Sequence, residues 1–247
     1  MEEMTAFPPG DEDRPQRPTL IHFEFCPFCH RVRLALGFKR IAYAEMLDRF
    51  YGPDHFRAVS GFDRLPVLVY GDGARQAESL DIIRSLDARF PNTQPLTPDP
   101  GEDDFEAVLA WRARISDNLF RLISPVLPAY EGLGDDQRAM VYYRQRMEGW
   151  FGASLEQLHA QRHAFYDAVH PELETMASSV DRHGFYRSKF SIADTVIAGD
   201  LTGLRLLDAI TLPPALTAYF KRVEAACETS LLPGRPRSAA EAAVRSR

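Results

Sequence analysis

Apolar residues along this chain first recur in short bursts and then at helical spacing, and the change falls near residue 100. Thr19-Leu20-Ile21-His22-Phe23-Glu24 is mostly β-branched and apolar and reads as a strand. Beyond it Phe28, Val32, Ala35, Leu36 and Lys39 fall at three- and four-residue spacings, with no proline before Pro53, which predicts a helix. Ile41–Leu47 reads as a second strand, completing a β-α-β unit whose strands run parallel. Gly52-Pro53 opens a short helical or irregular segment around Asp54–Val59. Leu65–Tyr70 is the next strand, and Gly71-Asp72-Gly73 is a hairpin turn into Ala74–Ala77. Ser79 suits the N-cap of a helix carrying Leu80, Ile82, Ile83, Leu86 and Phe90, which Pro91 stops.

The second half has a different texture. Pro91, Pro95, Pro98 and Pro100 mark a linker over 91–101, and strand signals end there. Phe105–Ile123 reads as a helix, interrupted by Ser124-Pro125 and Pro128; Gln137–Phe165 is a longer pattern, broken near Gly149 or Gly152; Pro171–His183 is a third. Ser191 and Asp194 form a capping-box pattern, with Asp in place of Glu. The helix they open carries Ile192, Val196, Ile197, Leu201, Leu204 and Leu207, a stripe wide enough for a central buried helix. A last helix carries Leu216, Tyr219, Phe220 and Val223. The organisation expected is therefore α/β followed by all-α. A disordered lead spans 1–17, a thioredoxin-like βαβ-ββα domain 18–90, the linker 91–101, an all-helical domain 102–231, and a frayed tail 232–247.

With 247 residues, 45% hydrophobic and 26% charged, the chain can bury one large core or two modest ones. A net charge of -6 argues against a nucleic-acid partner, since no basic face is there to neutralise phosphates. No apolar run approaches the roughly 20 residues that span a bilayer, so no membrane partner is expected. Met1-Glu2-Glu3-Met4 lacks a secretory pattern, and the three cysteines suit a reducing cytoplasm better than a disulfide scaffold. A cytoplasmic location is expected.

The candidate chemistry lies in Cys26-Pro27-Phe28-Cys29, at the junction of the first strand and first helix. Pro27 takes an early helical position, where its missing N–H costs nothing. The first turn of a helix has free N–H groups and a partial positive charge, which favour a thiolate at Cys26. Cys29 lies one turn deeper on the same face, where it could attack a mixed disulfide at Cys26 and release the partner thiol. A zinc site or two core cysteines are the alternatives, but zinc needs further ligands, and none repeats at suitable spacing. No metal is expected.

These residues resemble the cytosolic glutathione-transferase superfamily, and within it the large two-domain glutaredoxins and the cysteine-type omega and dehydroascorbate-reductase members. The resemblance covers roughly Thr19 to Leu231 and rests on Cys26-Pro27-Phe28-Cys29, Leu65-Pro66-Val67-Leu68, Glu78-Ser79-Leu80-Asp81-Ile82-Ile83 and the Ser191…Asp194 box. It implies Cys26 as nucleophile and Cys29 as resolving thiol. It also implies glutathione, as cosubstrate, bound by Pro27, Phe28, Leu65, Pro66, Glu78 and Ser79. Pro66 would be cis, Leu65 would offer its backbone to the cysteinyl part, and Glu78 and Ser79 would hold the γ-glutamyl end. The implied activity is glutathione-dependent thiol–disulfide exchange on a small disulfide or glutathionylated protein. Dehydroascorbate reduction, dehalogenation or a non-enzymatic interaction role are the alternatives on the same fold, as a monomer or homodimer. Omega-type members place a lysine near Gly52 to meet the glycyl carboxylate. Here His55, Arg57 or Lys39 are the substitutes, and another low-molecular-weight thiol could replace glutathione.

Other signals have plainer readings. His30 and Arg31 read as solvated helix residues, the alternative being that they raise the positive potential near the thiolate. Glu156, His159 and His163 share a helical face but lack the second Glu-x-x-His that a di-metal bundle needs. Tyr142, Tyr143, Trp150, Phe151, Phe165 and Tyr166 read mostly as core, with a few available to line an interdomain cleft. Cys227 reads as a helix residue without a catalytic partner, and Gly71-Asp72-Gly73 as a turn rather than a phosphate loop.

Overall fold

The structure, a computed structural model, describes residues 17–96, 105–130, 133, 136–207 and 210–231. The expected lead, apart from Arg17, the linker residues 97–101 and the tail 232–247 lie outside the described residues.

The first half runs β1 (Thr19–His22), α1 (Pro27–Phe38), β2 (Ala44–Leu47), α2 (Pro53–Ser60), β3 (Val67–Val69), β4 (Arg75–Ala77) and α3 (Ser79–Arg89). The sheet order is β2-β1-β3-β4, with β1 and β2 parallel and the other pairs antiparallel. Ile21 sits between Met46 and Val67, and the Tyr70 N–H donates to the Ala74 carbonyl at 2.8 Å to close the hairpin. This is the thioredoxin-like layout the pattern predicts. The strands are shorter than expected, for local reasons. Arg40 adopts φ 57 and the Ile41 N–H returns to the Leu36 carbonyl, so Ile41 belongs to the end of α1 rather than to β2. At β1, Phe23 leaves the sheet and stacks on Phe50, with centroids 3.9 Å apart.

The second half is entirely helical among the described residues. It comprises α4 (Phe105–Ile123), α5 (Leu127–Tyr130), α6 (Gln137–Phe151), α7 (Leu155–Ala160), α8 (Arg162–His183), α9 (Ile192–Leu201) and α10 (Pro214–Cys227), with a 3-10 turn over Thr202–Leu206. The single pattern over Gln137–Phe165 is three helices. Gly152, at φ 68, ends α6, and a capping box between Ser154 and Gln157 starts α7. Pro171, expected to open a helix, lies inside α8. Its interior position carries a penalty of about 3 kcal/mol. The stripe Val169, Leu173, Met176 and Val180, buried across the proline, supplies the packing that offsets it.

The two halves share one core. Leu20, Val32, Leu36 and Ile82 join Trp111, Val196, Ile197 and Phe220 in a single apolar cluster. Every residue of α9 is buried, as its wide stripe predicts, and α9 packs along α1. Glycines let α1 approach α9 at Gly199 and α10 at Gly37. A Cβ on Gly199 would lie 2.8 Å from Arg31 Cγ and 2.9 Å from the Pro27 carbonyl oxygen, and one on Gly37 would lie 2.2 Å from the Cys227 carbonyl oxygen. The seam is fastened by charge. Buried Asp200 of α9 accepts from Arg31 Nη2 at 2.5 Å and from Arg112 Nε of α4 at 2.7 Å. Arg31 is therefore buried and paired, not solvated. His30 is buried too; burial first, then the neighbouring Arg33 charge, holds its pKa well below the ordinary histidine value.

Removing the Asp200 carboxylate leaves Arg31 buried without a counter-charge. Asp200→Ala is expected to lower stability by about 3–5 kcal/mol, read as a fall in the urea midpoint. An unchanged midpoint would show that the seam does not depend on this ion cluster.

Candidate active site

Cys26 is the N-cap residue of α1, with φ -70 and ψ 126, and Pro27 follows at the first helical position. Its thiol is half-buried and opens into a cleft between the two halves, with a volume of about 300 Å³. Cys29, one turn on, is buried behind it and does not line the cleft. The Cys26 pKa is lowered from the ordinary thiol value. A hydrogen bond from the Cys29 thiol is the largest cause; desolvation opposes it, and the Cys29 and Phe28 N–H groups and the Arg31 charge add to the lowering. Cys227 shows the contrast: burial, then the nearby Asp194 charge, pushes its thiol far up.

Pro27, Phe28, Leu65, Pro66, Glu78 and Ser79 all line the same cleft as Cys26. The Leu65–Pro66 bond is cis. Leu65 lies ahead of β3, and among the described residues its N–H and C=O have no backbone hydrogen-bond partner. Ser79 is not the N-cap expected of it. Glu78 is, at φ 66 and ψ 112, a conformation that L-residues rarely adopt, and neither side chain caps the helix. The first N–H groups of α3 are thus left without a side-chain acceptor next to the cleft. Backbone held in such a region costs on the order of 1–3 kcal/mol and tends to mark functional sites. Exposed Arg64 pairs with the Glu78 carboxylate at 3.1 Å.

The three substitutes for a lysine near Gly52 do not line the cleft. Lys39 is buried, 2.5 Å from the Asp87 carboxylate and 2.9 Å from the Gln94 carbonyl oxygen. His55 is 2.7 Å from Asp48, and Arg57 pairs with Asp54 and Asp63. Gly52 itself caps α2 at φ 103, against the Tyr142 ring. Glu156, on the histidine-bearing face, bonds Arg144, and among the described residues no group of three His, Cys, Asp or Glu side chains is arranged to hold a metal.

The wall facing Cys26 is aromatic. Phe23, Phe50 and Phe56 come from the first half, and Phe120, Tyr142 and Phe151 from the second. Tyr142, Tyr143, Trp150 and Phe151 are the aromatics that line the cleft out of the six the sequence offered; Asp63, Arg64 and Arg146 also line it and were not singled out by the sequence. Arg64 directly precedes Leu65-Pro66, a placement that could have flagged it. Trp150, read as either core or cleft lining, is exposed; which of the two it takes depends on how α6 crosses the mouth of the cleft, which no local pattern encodes. Among the described residues no helix is long and apolar enough to cross a membrane.

The family model for the C-terminal domain of glutaredoxin 2 matches residues 107–235, and that for the glutathione S-transferase N-terminal domain matches residues 20–94. Solved structures of the same fold include glutaredoxin 2 from Salmonella typhimurium in complex with glutathione. It has a TM-score of 0.75 at 18% identity, over 88% of this chain and 98% of that one. A glutathione transferase from Phanerochaete chrysosporium has a TM-score of 0.73 at 18% identity, over 88% and 99% of the two chains. A glutathione S-transferase of Ceriporiopsis subvermispora in complex with glutathione has 0.68 at 20% identity, over 87% and 99%. No curated protein sequence matches the chain.

A lowered pKa means that the reactive thiolate forms at lower pH. The rate of Cys26 alkylation by iodoacetamide is expected to rise and level off at a lower pH than for an ordinary thiol, with Cys227 unreacted throughout. Cys29→Ala removes the main stabilising donor and should shift that profile upward. A profile identical in wild type and Cys29→Ala would contradict the assigned cause.

Proposed function

The chain belongs to the glutaredoxin 2 family, and we propose that it is a glutathione-dependent thiol–disulfide oxidoreductase with Cys26 as nucleophile and Cys29 as resolving thiol. The observation that carries this reading is the Cys26 thiol itself: at the head of α1, open to the cleft, and biased toward thiolate by its neighbours.

In the proposed cycle the Cys26 thiolate attacks the glutathione sulfur of a mixed disulfide. The disulfide breaks, the partner thiolate leaves and takes a proton from solvent, and Cys26 carries glutathione. A second glutathione thiolate attacks that adduct, forms oxidised glutathione and restores the Cys26 thiolate. Alternatively Cys29 resolves the adduct, giving a Cys26–Cys29 disulfide that two glutathione molecules then reduce. Glutathione would lie along the Leu65–Pro66 and Glu78–Ser79 side of the cleft. Its cysteinyl group would meet the unpaired backbone of Leu65, and its γ-glutamyl carboxylate the Ser79 hydroxyl and the first N–H groups of α3. Pro27 and Phe28 would close the floor beneath it. The glycyl carboxylate has no lysine near Gly52 to meet it, and His55, Arg57 and Lys39 are each committed to a carboxylate. Small disulfides or glutathionylated proteins in the cytoplasm are the proposed substrates.

The aromatic wall favours a second reading, transfer of glutathione to an apolar electrophile, and one experiment separates the two. Reduction of a glutathionylated peptide is measured beside conjugation of chlorodinitrobenzene. Fast reduction with little conjugation is expected. Cys26→Ser should abolish it, and Cys29→Ser should keep most of it. Turnover retained in Cys26→Ser would sink the assignment, and conjugation as the dominant activity would favour the transferase.

A further inference from the structure

The mouth of the cleft carries a cation that has no counter-charge among the described residues. Arg146, exposed on α6, lines the cleft, and among the described residues its one hydrogen bond is to the Tyr142 hydroxyl, at 3.4 Å. Other arginines around the cleft are committed to carboxylates: Arg64 to Asp63 and Glu78, Arg144 to Glu148 and Glu156, Arg112 to Asp200. One helical turn beyond Arg146, Trp150 is 58% exposed, more than any other large apolar side chain among the described residues. Its ring lies 6.4 Å from Phe120, and Phe120 lies 6.2 Å from Phe28, in the turn that holds Cys26. A row of rings thus leads from Cys26 to the rim and ends beside a guanidinium that pairs with no carboxylate among the described residues.

Exposed rings in a cleft gain by covering one another's faces with a further ring, and a guanidinium without a carboxylate is a fork set for one. We propose that the acceptor half of the disulfide is an aromatic acid: its ring lies along Phe120 and Trp150, and its carboxylate is held by Arg146. This rests on the Cys26 reading above and names the substrate class of that site. The chemistry is unchanged and balanced. Cys26 takes the glutathionyl group, the aromatic acid leaves as its thiolate and is protonated by solvent, and a second glutathione restores Cys26 as oxidised glutathione forms.

The test uses four mixed disulfides of glutathione, with 4-(mercaptomethyl)benzoate, benzyl mercaptan, 3-mercaptopropionate and mercaptoethanol. They cover the four combinations of ring and charge. All leave as alkyl thiols, so differences in leaving-group acidity are small. The benzoate adduct is expected to have the lowest KM, by about fivefold over the neutral aromatic one. Arg146→Ala should collapse that preference to less than twofold, Arg146→Lys should keep part of it, and Arg146→Glu should invert it. Trp150→Ala should raise KM for both aromatic adducts relative to both aliphatic ones. Both side chains are exposed, and circular dichroism checks that the variants fold. Equal KM values across the four adducts, or a preference that survives Arg146→Ala, would overturn the inference while leaving the oxidoreductase reading intact. No turnover of any adduct would overturn both.

Discussion

Helix α1 must be buried along its length while its first turn stays open, and the Arg31–Asp200–Arg112 cluster is what reconciles the two demands. The helix lies between the sheet and α9, close enough that Gly199 admits no side chain. A carboxylate from the helical half then ties both Arg31 of α1 and Arg112 of α4 at the seam. The two guanidinium groups also stand over the Phe28 ring, at 4.7 and 5.5 Å from its centroid. The loop that presents Cys26 is thereby held from the second half of the chain, through cation–π contact as well as packing. The helical half completes the cleft and also fixes the position of Cys26.

The same side chain behaves in opposite ways at the two ends of α1. At its N-terminus Cys26 meets N–H groups, a neighbouring thiol donor and the Arg31 charge, and its thiol is acidified. Near its C-terminal end Gly37 abuts the Cys227 carbonyl, and the Cys227 thiol, surrounded by apolar side chains with Asp194 nearby, is made inert. His30, one residue past Cys29, is kept neutral by burial and so adds no positive charge behind the thiolate. The positive field at Cys26 comes from Arg31 and the helix terminus, and Asp200 limits how much of the former it feels.

Local signals carried much of this. The β1–Cys26–α1 junction, the Gly71–Gly73 hairpin and the Ser191–Asp194 box each depend on a few adjacent residues, and each is found where its pattern falls. Leu65, Pro66, Glu78 and Ser79, which only the family resemblance pointed to, line one cleft with Cys26. What was not legible depends on the meeting of the two halves. Arg31 and His30 look like solvent-facing helix residues until α9 covers them. Lys39 looks like a spare cation until Asp87 and Gln94 enclose it. Trp150 could be core or cleft lining by its spacing, and α6 turns it to the cleft mouth. Pro171 looks like a helix start because the apolar stripe that continues across it is long-range packing rather than local preference. Fold class follows from periodicity; the aromatic wall of the cleft follows from tertiary contacts.

If Cys26 is the thiol that takes glutathione, its adduct can be trapped. Cys29→Ser, which cannot resolve the adduct internally, is incubated with oxidised glutathione and the protein is mapped by mass spectrometry. One glutathionyl group is expected, on Cys26, released by reduced glutathione, with Cys227 unmodified. An unmodified Cys26, or glutathione found on Cys227, would contradict it.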